Sequence, residues 1–200
     1  DDVNYIKKGW INRNNLLING EKTLFTMTLL AVSQNKKINE IYIGDDFIKL
    51  RKTIHSAYFK APNFNETMHL FDKIISHSDR LLSKFIGNSI FEICKYLDIK
   101  TNFKFSSQIE KDQNLKGQDK IIEICKTLNA TNYINAINGQ NLYEKPYFEK
   151  NGIELNFIEP KIEPYPQFTN EFIPYLSILD VLMFNSKTEV KKIINNFSII

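Results

Sequence analysis

GQDKIIEICKTLNATNYINAI, residues 117–137, sets the reading of the whole chain. Ile121, Ile124, Cys125 and Leu128 recur at three- and four-residue spacing, as on a helix with one apolar face. The period then changes. TNYINAI predicts a strand, ending in a loop at Asn138-Gly139. LYEKPYFEKNG, residues 142–152, predicts a helix stopped by Gly152, and IELNFIEP, 153–160, a strand closed by Pro160. Upstream, TNFKFSS, 101–107, predicts another strand, ending in two hydroxyls. LSILDVLMFN (176–185) and EVKKIINNF (189–197) predict closing helices. Strands alternating with helices favour parallel pairing through right-handed crossovers. The expected fold is therefore α/β: an open, mainly parallel sheet with flanking helices. In such sheets ligands bind beyond the carboxyl ends of the strands. That directs attention to Ser106-Ser107, Asn135 to Asn141 and Pro160 to Gln167.

The first hundred residues differ. Residues 1–17 predict a strand running into a polar loop, and Asn19-Gly20 is a strong hairpin signal. Thr23 to Val32 predicts a largely buried strand, and residues 38–43 a short one. A helical insertion follows near residues 45–98. Asp45 is the expected N-cap of FIKLRKTIHSAYF, Pro62 stops that helix, and helices are expected over 65–76 and 80–97. The 200 residues fit one domain.

Composition excludes more than it selects. The 26 basic and 23 acidic residues are interspersed, for a net charge of +3. A nucleic-acid partner would leave a stronger basic stripe, so none is expected. No apolar run approaches the roughly 20 residues of a membrane span. Cys94 and Cys125 both sit at core positions of amphipathic helices. Two such thiols without a framework suggest a reducing compartment, so a cytoplasmic placement is expected. The chain begins at Asp1 rather than methionine, which leaves an upstream segment open.

No Walker loop, nucleophile elbow, zincin motif or paired CxxC is present. His55, His69 and His77 are too far apart for a local metal site, and none is expected. His55 is either a helix-face histidine or a general base. The opening DDVNYIKKGWINRNNLL, residues 1–17, gathers Lys7, Lys8, Arg13 and three asparagines around the only tryptophan, Trp10. Arg grips phosphate bidentately and Lys acts as a point charge, while Trp stacks on bases or sugars. The plainer alternative is a solvated loop anchored to the core by Trp10. Asp180 falls inside the apolar run SILDVLMF. Burying a carboxylate there is costly unless it is paired, and Lys8 or Arg13 is the expected partner. Its alternative is a helix-terminal carboxylate facing solvent or capping backbone donors.

These blocks carry a resemblance. DDVNYIKKGWINRNNLL, YFKAPNF (58–64), LKGQDKIIEICKTLNATNYIN, GIELNFIEP and FIPYLSILDVLMFN together resemble the WbqC-like protein family, in order and over essentially all of the chain. The resemblance implies a single domain over 1–200 that lacks the family's first strand and following loop and helix. It implies a role in bacterial surface-polysaccharide (O-antigen) biosynthesis: acyl or aminoacyl (glycyl-type) transfer onto the amino group of a nucleotide-linked amino sugar. A non-catalytic sugar-nucleotide or polysaccharide-assembly binding protein is the alternative. The family pattern is matched at Asp1, Asp2, Lys8, Trp10, Asn12, Arg13, Asn14, Tyr133, Asn135, Gly139, Tyr143, Tyr165, Gln167, Pro174, Ser177 and Asp180. Of these, Lys8, Trp10, Asn12, Arg13, Asn14, Tyr133, Asn135, Tyr143, Tyr165 and Gln167 are expected to bind substrate. His55 and Asp180 are the candidate catalytic residues, and His55 is favoured because imidazole titrates near neutrality. The expected partner is a small nucleotide-sugar. The residues name no cofactor and no oligomeric state.

Overall fold

The structure, a computed structural model, describes residues 1–44 and 47–200. The expected cap at Asp45 lies outside the described residues. Two compact units result. The first combines Asp1–Phe103 with Glu163–Ile193, and the second Lys104–Ile162 with Ile194–Ile200.

In the first unit, β1 (Arg13–Ile18) and β2 (Glu21–Thr26) form an antiparallel hairpin in which Ile18 faces Glu21. Asn19 and Gly20 both take left-handed backbone, φ 52° and 79°, as a tight two-residue turn demands. β1 buries Leu16 and Leu17. β2 departs from expectation: it is largely exposed, with Leu24 48% accessible. A buried strand needs cover on both faces. Among the described residues β2 pairs only with β1, and its ribbon has no third strand. β3 (Leu29–Leu30) pairs antiparallel with β4 (Tyr42–Ile43). The strand expected over 38–43 shrinks to β4, because Ile38–Glu40 is a 3-10 turn. There Glu40 accepts the Lys37 amide at 2.7 Å, a local bond that competes with ladder pairing.

The helical insertion is present as α1 (Ile48–Tyr58), α2 (Phe64–Ile75) and α3 (Leu82–Tyr96). α2 buries Thr67, Met68, Leu70, Phe71 and Ile74, the single face that its spacing encodes. Near the C-terminus, α6 (Ile178–Phe184) and α7 (Lys187–Ile194) follow. α6 serves two cores. Leu182 joins Ile41, Phe47, Leu82, Leu97 and Val190. Leu179 and Met183 join Leu16, Leu17, Ile54, Tyr58 and Phe71.

In the second unit, β5 (Asn132–Ala136) pairs parallel with β6 (Glu154–Pro160), and α5 (Lys145–Lys150) lies in their crossover. β7 (Phe197–Ile199) pairs antiparallel with the other side of β6. With α4 (Gly117–Thr127), this sheet encloses Ile122, Cys125, Phe148, Ile153, Leu155 and Phe157. The open, mainly parallel sheet is thus corrected to a three-stranded mixed one, accompanied by two small antiparallel pairs. Residues 101–107 form no strand. Instead Ser106–Gln108 is a 3-10 turn, whose Ser106 carbonyl accepts from the Lys111 ammonium. Both cysteines are free thiols, and burial pushes their pKa values up, as suits inert packing.

Leu182→Ala is expected to cost about 2–5 kcal/mol in denaturant unfolding, the cost of a cavity in a core. Leu24→Ala, on exposed β2, is expected to stay within about 0.5 kcal/mol. A large effect at Leu24 would mean that β2 is covered.

Candidate functional site

The opening loop is built around a turn. Lys8 takes φ 64°, and Gly9 N–H closes onto the Ile6 carbonyl at 3.0 Å. This geometry lifts Lys7, Lys8 and Trp10 into solvent, with the indole 68% exposed. Trp10 therefore does not anchor the loop to the core. Among the described residues, none of Lys7, Lys8 and Arg13 is paired with a carboxylate. The asparagines behave differently. Asn12 is only 5% exposed, and its Nδ2 donates to the Met27 carbonyl at 2.8 Å. Asn14 Oδ1 accepts the Asn15 amide at 2.8 Å. Both side chains are engaged with backbone, which ties the strand that leaves the loop.

Asp180 is placed by its helix. Ser177 caps α6, accepting the Leu179 amide at 3.3 Å, so Asp180 enters the first turn between residues that must face the cores. The carboxylate goes in with them, at 0% exposure. Its Oδ2 accepts from the Tyr58 hydroxyl at 2.9 Å. Its Oδ1 accepts from the Tyr165 hydroxyl at 2.7 Å and from Gln167 Nε2 at 2.9 Å. The Tyr58 oxygen in turn accepts the Leu17 amide at 2.7 Å, and Gln167 Oε1 accepts the Ile173 amide at 2.9 Å. The expected partners, Lys8 or Arg13, are corrected to two phenols and an amide. The burial inferred from the apolar run is present; the compensating cation is not.

Without a cation, burial dominates and pushes the Asp180 pKa above the usual carboxylate range, while bonds from Tyr165, Gln167 and Tyr58 pull it part of the way back. Burial and the neighbouring carboxylate push both tyrosines upward, so they remain protonated donors at neutral pH. The carboxylate has no exposure and accepts three bonds, two at Oδ1 and one at Oδ2.

His55 stands exposed on α1, its ring edge-on to Phe64 at 5.2 Å and 87°. On the same helix lies a feature that the sequence did not disclose. An open cavity of about 650 Å³ is walled by Ile18 and Asn19 of the hairpin and by Lys49, Lys52, Thr53 and Ser56 of α1. Lys49, Lys52 and Ser56 share one helix face, which in sequence cannot be told from a solvated polar stripe.

The remaining expected binding residues lie in the second unit. Tyr133 stacks on Phe148 at 5.7 Å, and Tyr143 meets both rings edge-on. Burial, followed by the bond with Tyr143, pushes the Tyr133 pKa up. These half-buried tyrosine rings pack against a core. Asn135 Oδ1 accepts its neighbour's amide at 2.8 Å, and Gly139 leaves room for it, since a Cβ there would lie 2.8 Å from Asn135 Nδ2. Among the described residues no group of three or more His, Cys, Asp or Glu could hold a metal, and no helix is long and apolar enough to cross a membrane.

Asp180→Ala is expected to cost about 3–5 kcal/mol by denaturant unfolding, because it strands buried donors. Tyr58→Phe is expected to cost about 1–3 kcal/mol, since it leaves the Leu17 amide without an acceptor. A raised native pKa means that the folded state holds the proton more tightly. Asp180's contribution to stability should therefore be greatest below its unfolded value, near 3.9, and fall as pH rises through the native value. Unfolding measured from pH 4 to 7 should show this slope, and Asp180→Asn should remove it. An unchanged slope in the variant would assign it elsewhere.

No solved structure matches this chain. The "Uncharacterized protein Rv1507c" of Mycobacterium tuberculosis is 24% identical over 194 residues, covering 94% of this chain and 83% of the relative. The blocks that build the exposed loop, the α1 region and the Asp180 hub are spread from one end of the chain to the other. The WbqC-like protein family profile takes them in together, matching residues 1–192, and the chain belongs to that family.

Proposed function

We propose that this protein is a transferase of bacterial surface-polysaccharide assembly, acting on a nucleotide-linked amino sugar. The group transferred is an acyl or aminoacyl unit of the glycyl type. Family membership supports the polysaccharide setting. The observation that carries the substrate class is the exposed Trp10 indole beside unpaired Lys7, Lys8 and Arg13. An aromatic face and mobile cations suit a ligand with both rings and phosphates.

In this reading the sugar's amino nitrogen attacks the carbonyl carbon of the activated donor. A nitrogen–carbon bond forms, and the donor's leaving group departs with its bonding electron pair. A base must take the proton from the attacking nitrogen. His55 is exposed, whereas Asp180 is closed to substrate, so the role falls to His55. Asp180 instead holds Tyr165 and Gln167, which become supporting rather than contacting residues. Dependence on one exposed histidine also keeps the second reading in view: a sugar-nucleotide binding protein with no chemistry of its own.

Trp10→Ala is expected to weaken UDP-glucosamine binding about tenfold, the order of one lost stacking contact. His55→Ala should retain that affinity and lose transfer. If His55→Ala transfers normally, another group is the base. If the wild type binds the nucleotide sugar but transfers nothing from acyl or aminoacyl donors, the binding-protein reading replaces the transferase.

A further inference from the structure

The cavity beside α1 lies between that helix and the hairpin turn. Its volume, about 650 Å³, falls in the range of small-molecule sites. Its lining combines polar donors with apolar walls. Lys49, Lys52, Thr53 and Ser56 come from α1, Asn19 from the hairpin turn, and Ile18, Ile48 and Ala57 supply the apolar part. No acid lines it.

The third cation of α1, Arg51, is fixed by Asp72 through two bonds of 2.6 and 2.8 Å. Lys73 is paired with Glu92 at 2.5 Å, and Lys191 with Asp98 at 3.0 Å. Among the described residues, Lys49 and Lys52 have no carboxylate, and the Ser56 hydroxyl has no partner. Thr53 gives its hydroxyl proton to the Lys49 carbonyl at 3.0 Å, which leaves Ser56 as the hydroxyl free to donate. Positions 49, 52, 53 and 56 fall on one side of a helix, so their side chains share one face. The hairpin turn makes that side concave.

We propose that this cavity is a phosphate-binding subsite, which takes the diphosphate of the nucleotide-linked sugar. Two point charges suit a dianion, and the Ser56 hydroxyl and the Asn19 side-chain amide can donate further bonds to its oxygens. A nucleic acid would need a longer run of cations than two lysines provide. The assignment of the nucleotide sugar rests on the function proposed above; the affinity for diphosphate does not.

Calorimetric titration of the full chain with inorganic pyrophosphate and with UDP-glucosamine separates the two. The variants are Lys49→Ala with Lys52→Ala, and Ser56→Ala alone, each checked for an unchanged melting temperature. Both lysines are exposed and unpaired, so the fold should hold. The double substitution is expected to weaken both ligands about tenfold to a hundredfold, and Ser56→Ala less. Pyrophosphate that binds the double variant as it binds the wild type, or binds neither, overturns the subsite. Lysine-dependent binding of pyrophosphate with no gain from the nucleoside and sugar supports the subsite and overturns the nucleotide-sugar reading. Nucleotide-sugar binding that survives the double variant but is lost on Lys8→Ala with Arg13→Ala overturns the subsite and supports that reading.

Discussion

A carboxylate buried without a cation is the constraint around which the first unit is organised. Asp180 at 0% exposure leaves water and, among the described residues, meets no opposite charge. Only several well-placed donors make such a group tolerable. The Tyr58 and Tyr165 hydroxyls and the Gln167 amide supply them. Each donor is held by something else. Tyr58 is fixed by the Leu17 amide of β1, and Gln167 by the backbone of Ile173. The hub thereby joins the hairpin, α1, the proline-rich segment before α6 and α6 itself. Segments 122 residues apart in sequence are in direct contact at Tyr58 and Asp180. If any member shifts, a buried polar group loses its partner, and this makes the arrangement all-or-none.

That hub also explains how the exposed features are presented. Leu17 and Tyr58 fix β1 against α1, and the hairpin turn and α1 are the two walls of the lysine-lined cavity. On the N-terminal side of the same strand stands the loop with Trp10 and its cations. The groups suited to ligand are on the surface with few partners, and the groups that hold them are buried or half-buried and hydrogen-bonded. Asp180, Asn12 and Asn14 belong to the second class, although their chemistry alone would have placed them in the first.

Local features were legible in the sequence. Asn19-Gly20 specifies its turn through backbone freedom, and the faces of α2 and α4 are written in their three- and four-residue spacing. The parallel β5–β6 pair followed from strand, helix, strand order. Long-range partners were not legible. A charge argument sends Asp180 toward Lys8 or Arg13, since phenols in a sequence look like core rings. TNFKFSS alternates like a strand, but no neighbour offers it a ladder and the Lys111 ammonium holds its end as a turn. β7 was hidden because the apolar spacing of KKIINNF continues the helical pattern past Ile194. The exposure of Trp10 depends on a positive φ at Lys8, which side-chain chemistry does not announce. Lys49 and Lys52 became a site only when the hairpin turn was brought against them.

Amide hydrogen exchange at Leu17 and Ile173 tests the hub most directly, since these two N–H groups end its two arms. If Asp180 joins the arms, both amides exchange only through the same large opening in the wild type. On Asp180→Ala both should lose protection together, relative to the Ile43 amide, which bonds elsewhere to the Arg80 carbonyl at 2.9 Å. Fast exchange at either amide in the wild type, or protection at both that survives Asp180→Ala, would contradict a fold held together through this carboxylate.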